Sequence, residues 1–266
     1  MDLSDRARRR IALAAWVVVL FLLLPGFVTL PVALNDSRFM QLPQGSLSLR
    51  HFEALLTDSG WHQSFLDSFT IALAAMAIAC AFGTFCALGV WRLGGRIAAV
   101  VLVIAMTPMI LPPVVSALAM YRVWVQLDLY DSWAGVVIAH AIIALPYVVT
   151  TVSTSLALLD ARLEQAARSL GATPWRAAID VLLPNIRGGV ISGAVFAFII
   201  SWDEIVVTLF ISTRAVYTLP RRMWDGIREN VDPTVAAVAV VLMAITILGV
   251  AIVMIHSRLR RARPKG

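Results

Sequence analysis

Residues 163–184 read "LEQAARSLGATPWRAAIDVLLP". Leu163 to Leu170 is rich in helix formers, and Gly171 suits the left-handed position that ends a helix. Thr173 is placed to cap a second short helix, with Pro174 at its first position. Pro184 limits that helix before the next apolar run. The stretch therefore predicts helix, glycine break, short helix. Ala166, Ala167, Leu170 and Trp175 are apolar yet lie among charges. Such a surface fits docking on a partner protein; an amphipathic helix lying on lipid headgroups fits it equally.

On either side of this stretch the chain is strongly apolar. Of 266 residues, 60% are hydrophobic and 14% charged, whereas a soluble domain carries about a quarter charged residues. Six runs approach the roughly 20 apolar residues needed to cross a bilayer. They lie near 11–33, 65–90, 97–120, 133–156, 187–211 and 234–256. The expected fold is an all-α membrane protein of six transmembrane helices within 11–256, between a basic N-terminus (1–10) and a basic tail (257–266). The run from Ile11 to Val32 follows "RARRR" but exceeds the apolar core of a signal peptide, about 7–15 residues, so it is expected to remain as a first span.

The net charge of +6 follows this topology. Fifteen arginines and lysines fall in the N-terminus, the 91–96 loop, the 157–187 loop and the C-terminus, against seven in the alternate loops. Positive charge accumulates on the cytoplasmic side, so both termini are expected there. The basic balance then needs no nucleic-acid partner. Pro108, Pro112 and Pro113 in the third run and Pro146 in the fourth predict irregular or kinked helices.

The loop 163–184 resembles the cytoplasmic "EAA" motif of permease subunits in binding-protein-dependent ABC importers. That motif runs E-A-A, three residues, G, nine residues, I, one residue, L-P. Here Gln165, Ala166 and Ala167 precede Gly171, and Val181, Leu183 and Pro184 follow in register. Gln165 stands where the motif has Glu, with Glu164 adjacent, and Val181 stands where it has Ile. "NDSRF", "TLPRRMWDGIRENVDPTVAA" and "SWDEIVVTLF" look like the spermidine/putrescine branch of these permeases.

The resemblance implies a type I importer permease of MetI-like architecture in a bacterial inner membrane. It implies that Glu164, Gln165, Ala166, Ala167, Gly171, Trp175, Leu183 and Pro184 couple the chain to a cytoplasmic ATPase dimer. Its other implied partners are a second homologous permease, a periplasmic substrate-binding protein and membrane lipid. The implied activity is import of a small organic, cationic solute such as putrescine or spermidine. Another solute (an amino-acid-like compound, an opine or a metal ion) and a stand-alone secondary transporter remain alternatives.

The chain shows no chemistry of its own. A P-loop needs Gly-Lys followed by Ser or Thr, and the sole lysine, Lys265, precedes Gly266. ATP and Mg²⁺ are therefore expected on the partner, and neither a catalytic residue nor a metal site is expected in this chain. His51, His62, His140 and His256 are scattered; His140, inside the fourth run, fits a satisfied packing role or a pathway role. Cys80 and Cys86, six positions apart on a helix, point to different faces and are read as small packing residues.

One feature conflicts with lipid. "FIISWDEIVVTLF", residues 198–210, places Asp203 and Glu204 in an apolar run, and ionisable residues within a membrane are costly and usually functional. On a continuous helix at 100° per residue, Gly189, Gly193, Ala197 and Ser201 form a small-residue stripe suited to close helix packing. Glu204 falls at the centre of that stripe and Asp203 on its flank. Ser201, Trp202, Asp203 and Glu204 are the candidate pathway or gate residues, with Glu204 read as lining the path and Asp203 as packing or gating. The competing reading pairs an acid with Arg122 or with an arginine of a second permease.

Overall fold

The computed structural model describes residues 5–230 and 232–262. The basic ends predicted at 1–10 and 257–266 fall partly outside these residues. The elements are α1 (Asp5–Ala33), α2 (Arg50–Thr57), α3 (Ser59–Leu93), α4 (Gly95–Ile110), α5 (Pro113–Gln126) and α6 (Trp133–Ala157). They continue with α7 (Arg162–Ser169), α8 (Pro174–Arg176), α9 (Leu183–Trp202), α10 (Val206–Ile211), α11 (Leu219–Asp225) and α12 (Thr234–Ala262). A π-helical stretch, Ala177–Leu182, makes the chain continuously helical from Pro174 to Trp202. The only pairing of extended backbone among the described residues is an isolated bridge between Asn35 and Leu47.

α1, α3, α6, the Pro174–Trp202 helix and α12 are each long and apolar enough to cross a bilayer. The third predicted run, 97–120, is not a single helix. α4 and α5 meet at an angle of 107°. The cause is local: a residue preceding proline is pushed out of the helical region, and Leu111 and Pro112 both precede one. Both are accordingly extended, at ψ 142° and 136°, and Pro113 then opens α5 at a position where no N–H is needed. Pro108 and Pro146, by contrast, lie inside α4 and α6 without ending them.

The chain divides into two compact units, residues 1–62 with 223–266, and residues 63–222. In the first, α12 packs on α1 and α2 through Ala33, Ala236 and Ala237, with Val32, Phe52 and Val240 around them. The second is organised on α6, whose buried positions run from Gly135 to Leu156. Toward one end of α6, Val148, Val149, Val152 and Leu156 pack with Ala87, Leu88, Leu182 and Ile186. Toward the other, Val136, Val137 and Ala139 pack with Ile71, Trp124, Val207 and Ile211.

α6 and α9 form the most intimate pair in this unit, and the predicted small-residue stripe makes the contact. Gly189, Gly193, Ala197 and Ser201 are all buried. A Cβ on Gly193 would sit 2.6 Å from Thr151 Oγ1, and one on Gly189 would run into Ser155. Thr151 Oγ1 donates to Tyr147 O at 3.0 Å, so its hydroxyl is satisfied within α6. Within lipid the hydrophobic effect adds little to helix association, and such close approach supplies much of it. The opposite face of α9, with Ile191, Val195, Phe196 and Ile199, is exposed.

Candidate functional site

The loop 163–184 folds as its residues dictate. α7 ends at Ser169, and Gly171 takes φ +90°, a region strained for residues with a Cβ. Thr173 Oγ1 accepts from the Arg176 N–H at 3.3 Å, capping α8 with Pro174 at its first position. Leu170 is 90% exposed and Trp175 57% exposed. Trp175 lies against Phe85 of α3, with ring centroids 5.7 Å apart. Gln165 and Ala166 are exposed and Ala167 half-buried. Leu183 is half-buried and Pro184 exposed at the start of α9.

Glu164 turns the other way. It is 8% exposed, and its Oε1 lies 2.8 Å from an Arg92 guanidinium nitrogen at the end of α3. The same nitrogen donates to Pro174 O at 2.7 Å. The carboxylate next to Gln165 is therefore spent inside the chain, and the exposed face of α7 presents a neutral amide at the motif's Glu position. A cavity of about 410 Å³ opens beside this pair, lined by Trp91, Arg92, Ala161, Glu164, Gln165, Arg168 and Pro174.

The acidic pair does not lie on a helix. The fifth predicted run, 187–211, breaks after Trp202, and α10 resumes at Val206. The angular positions expected for Asp203 and Glu204 on a continuous helix are thus overturned. No glycine or proline makes this break. Glu204 Oε1 accepts from the Val207 N–H at 2.9 Å, and a side chain that satisfies the first amides of a new helix competes with helix continuation. The Glu204 N–H turns back to Ser201 O at 3.4 Å.

Around the break, the candidate residues divide. Ser201 is buried and its hydroxyl is 2.9 Å from His140 Nδ1. His140 Nε2 is 2.9 Å from Thr208 Oγ1, so one buried imidazole joins the end of α9 to α10, the satisfied role its sequence position allowed. Trp202 stacks on Phe198 at 5.9 Å and meets the edge of Phe65 at 5.4 Å. Phe69 closes this aromatic group against Phe65 and Phe198. Asp203 is exposed. Among the described residues neither acid forms an ion pair with Arg122 or any other cation.

A further site was not singled out from sequence. Asp131 Oδ1 accepts from the N–H groups of Thr213, Arg214 and Ala215 at 2.8, 2.9 and 3.0 Å, and from Ser212 Oγ at 3.0 Å. Partial burial opposes its charge, but these four donors outweigh that and hold the carboxyl well below the usual carboxylate range. Arg221 donates to Ser212 O and Thr213 O from the same loop at 2.8 and 3.1 Å. The signal in sequence was faint: Asp128 and Asp131 take positive φ in a short turn, a conformation aspartate tolerates better than most.

The family described as binding-protein-dependent transport system inner membrane component matches residues 79–262. The putrescine transport system permease protein PotI of Escherichia coli is 30% identical over 250 residues, covering 88% of this chain and 88% of that one. The molybdenum transport system permease protein ModB of Mycobacterium bovis is 32% identical over 255 residues, covering 85% of this chain and 94% of that one. Among solved structures, a bacterial ABC transporter involved in the import of the acidic polysaccharide alginate gives a TM-score of 0.65 at 14% identity. That match covers 99% of this chain and 100% of the other, and it concerns the fold alone.

Proposed function

This chain belongs to the family of binding-protein-dependent transport system inner membrane components, and from that premise we propose the partners, orientation and solute of its transport. It is a multi-pass inner-membrane permease subunit of an ABC importer and a non-catalytic component. In our reading a separate ATPase dimer, binding ATP and Mg²⁺, docks on residues 163–184. A second permease and a periplasmic binding protein complete the assembly. Both termini face the cytoplasm, as the arginine distribution favours, which puts Asp131 and the loop 212–222 on the periplasmic side.

The observation that carries this reading is the loop itself. Its backbone is fixed by Gly171 and the Thr173 cap, while Leu170 is held out from the chain and Trp175, stacked on Phe85, leaves its outer face exposed. A preorganised loop presenting exposed apolar side chains is suited to a protein groove, because little ordering cost remains to be met on binding.

For the solute we favour a small organic cation such as putrescine or spermidine, as the name of the PotI relative suggests. Asp203 supports it: an exposed carboxylate without a cation partner among the described residues, next to the aromatic group of Trp202, Phe198, Phe65 and Phe69. A carboxylate beside aromatic faces suits an ammonium group. Glu204 instead caps α10, so Asp203 is the better pathway candidate. The similarity to ModB favours a second reading in which the solute contains a metal; the open carboxylate counts against it if that solute is an anion. In proteoliposomes holding the full assembly, Asp203→Asn should reduce putrescine uptake roughly fivefold, about 1 kcal/mol for one partly exposed charge. Unchanged uptake would remove Asp203 from the path, and no uptake by the unmodified assembly would reject the polyamine.

A further inference from the structure

α3 is held at both ends of the second unit. At its C-terminal end, one guanidinium nitrogen of Arg92 bonds both Glu164 in α7 and Pro174 O in α8, at 2.8 and 2.7 Å. About two turns earlier, Phe85 stacks on Trp175. The loop 163–176 thus has two attachments to α3, one of them an ion pair to the buried Glu164 carboxylate. At the other end, Ser64 Oγ accepts from Arg222 Nε at 2.9 Å and Ser68 Oγ accepts from the Leu219 N–H at 2.7 Å. Asp67 Oδ2 accepts from the Tyr217 N–H at 3.5 Å. Phe65 and Phe69 of the same segment meet Trp202 and Phe198, beside the break in the fifth span.

Between Ser64 and Arg92 the helix is unbroken, and those 28 positions correspond to about 42 Å of α-helix. It contains no proline, the commonest cause of a sharp kink. The 107° bend between α4 and α5 and the break at 203–205 leave those routes between the two ends less direct; α6, preceded by the Asp131 that holds residues 212–215, is the other unbroken route.

We infer that Arg92 is a positioning residue that locks the loop 163–176 to α3, making α3 a strut that, beside α6, carries displacement of this loop to residues 212–222 and the Trp202 aromatic group. This rests on the reading that an ATPase docks on that loop. Arg92 touches neither nucleotide nor solute; it acts by keeping Glu164 and Pro174 on one rigid body. Glu164 is the second half of the lock, which assigns a role to the inward-facing acid beside Gln165. A mechanical link of this kind requires a discrete connection that both ends bias, and loss of the connection should separate their responses.

The test is hydrogen–deuterium exchange on the assembled importer, permeases with ATPase, with and without trapping by ATP and vanadate. No solute is needed. In the unmodified assembly, trapping should alter exchange both at 163–176 and at 212–222. With Arg92→Ala the response at 163–176 should persist and that at 212–222 should weaken severalfold, since the Phe85–Trp175 stack remains. Glu164→Gln, nearly isosteric and less prone to disturb folding, should give the same separation. The double variant should be no worse than either single one, as expected of two halves of one contact. A response at 212–222 that is undiminished in both single variants overturns the strut, as does a double variant that loses clearly more than either. If trapping leaves 163–176 unchanged in the unmodified assembly, the ATPase-docking reading fails and the strut fails with it.

Discussion

Two loops at opposite ends of α6 are both rigid, but for different purposes. The loop 212–222 spends its polar groups on itself and its neighbours. One Asp131 oxygen gathers four donors, Arg221 binds three carbonyls of the same loop, and Arg222 reaches Ser64. The loop 163–176 is fixed by fewer devices, Gly171, the Thr173 cap and the Arg92 pair, and leaves Leu170 and Trp175 in the open. Dense internal hydrogen bonding makes a surface that holds its own shape. A fixed backbone with exposed apolar side chains makes one that is completed by a partner.

The contrast breaks most sharply at Leu170. Leu170→Asp removes no packing within the chain, yet it should lower solute uptake by the full assembly roughly tenfold or more, since a buried leucine contributes about 1.5–3 kcal/mol to a contact. The melting temperature of the isolated permease should not change. Gly171→Val tests the backbone of the same loop. At φ +90° a β-branched residue costs on the order of 1–2 kcal/mol, so uptake should fall by up to about thirtyfold, with the helices intact by circular dichroism. The smallest effect on transport should come from the internally bonded loop. Asp131→Ala should destabilise the permease by about 1–2 kcal/mol, because the N–H groups it leaves are exposed and water replaces part of what is lost. A thermal-shift measurement in detergent reads this directly. Because the native carboxyl titrates below its usual range, its contribution is complete above the ordinary carboxylate pKa. It fades only as pH falls below that range toward the native pKa.

Much of this was legible in the amino-acid sequence, for local reasons. Apolar run length located the helices, and the four-residue spacing of Gly189, Gly193, Ala197 and Ser201 identified the contact face of α9. Gly171, Thr173 and Pro174 encode the form of the loop through their own backbone preferences. Proline also marked the third run as irregular, although the size of the bend came from two consecutive residues each preceding a proline. The break at 203–205 was hidden because it has no backbone breaker. It depends on a glutamate side chain capping Val207, and the same glutamate on a continuous helix is an equally good reading of the sequence. Arg92–Glu164 and Asp131–Ser212 were hidden for another reason: their partners lie 72 and 81 residues apart. Nothing in the local sequence selects those partners; the packing of the helices brings them together.

The claim that one loop is completed by a partner while the other is complete in itself can be tested by placing a photoreactive benzoylphenylalanine at position 170 or at position 213. Each labelled permease would be assembled with its co-expressed partners in native membranes and irradiated. The account predicts a covalent adduct between position 170 and the ATPase, and none between position 213 and that subunit. Adducts from position 170 to lipid alone would contradict it.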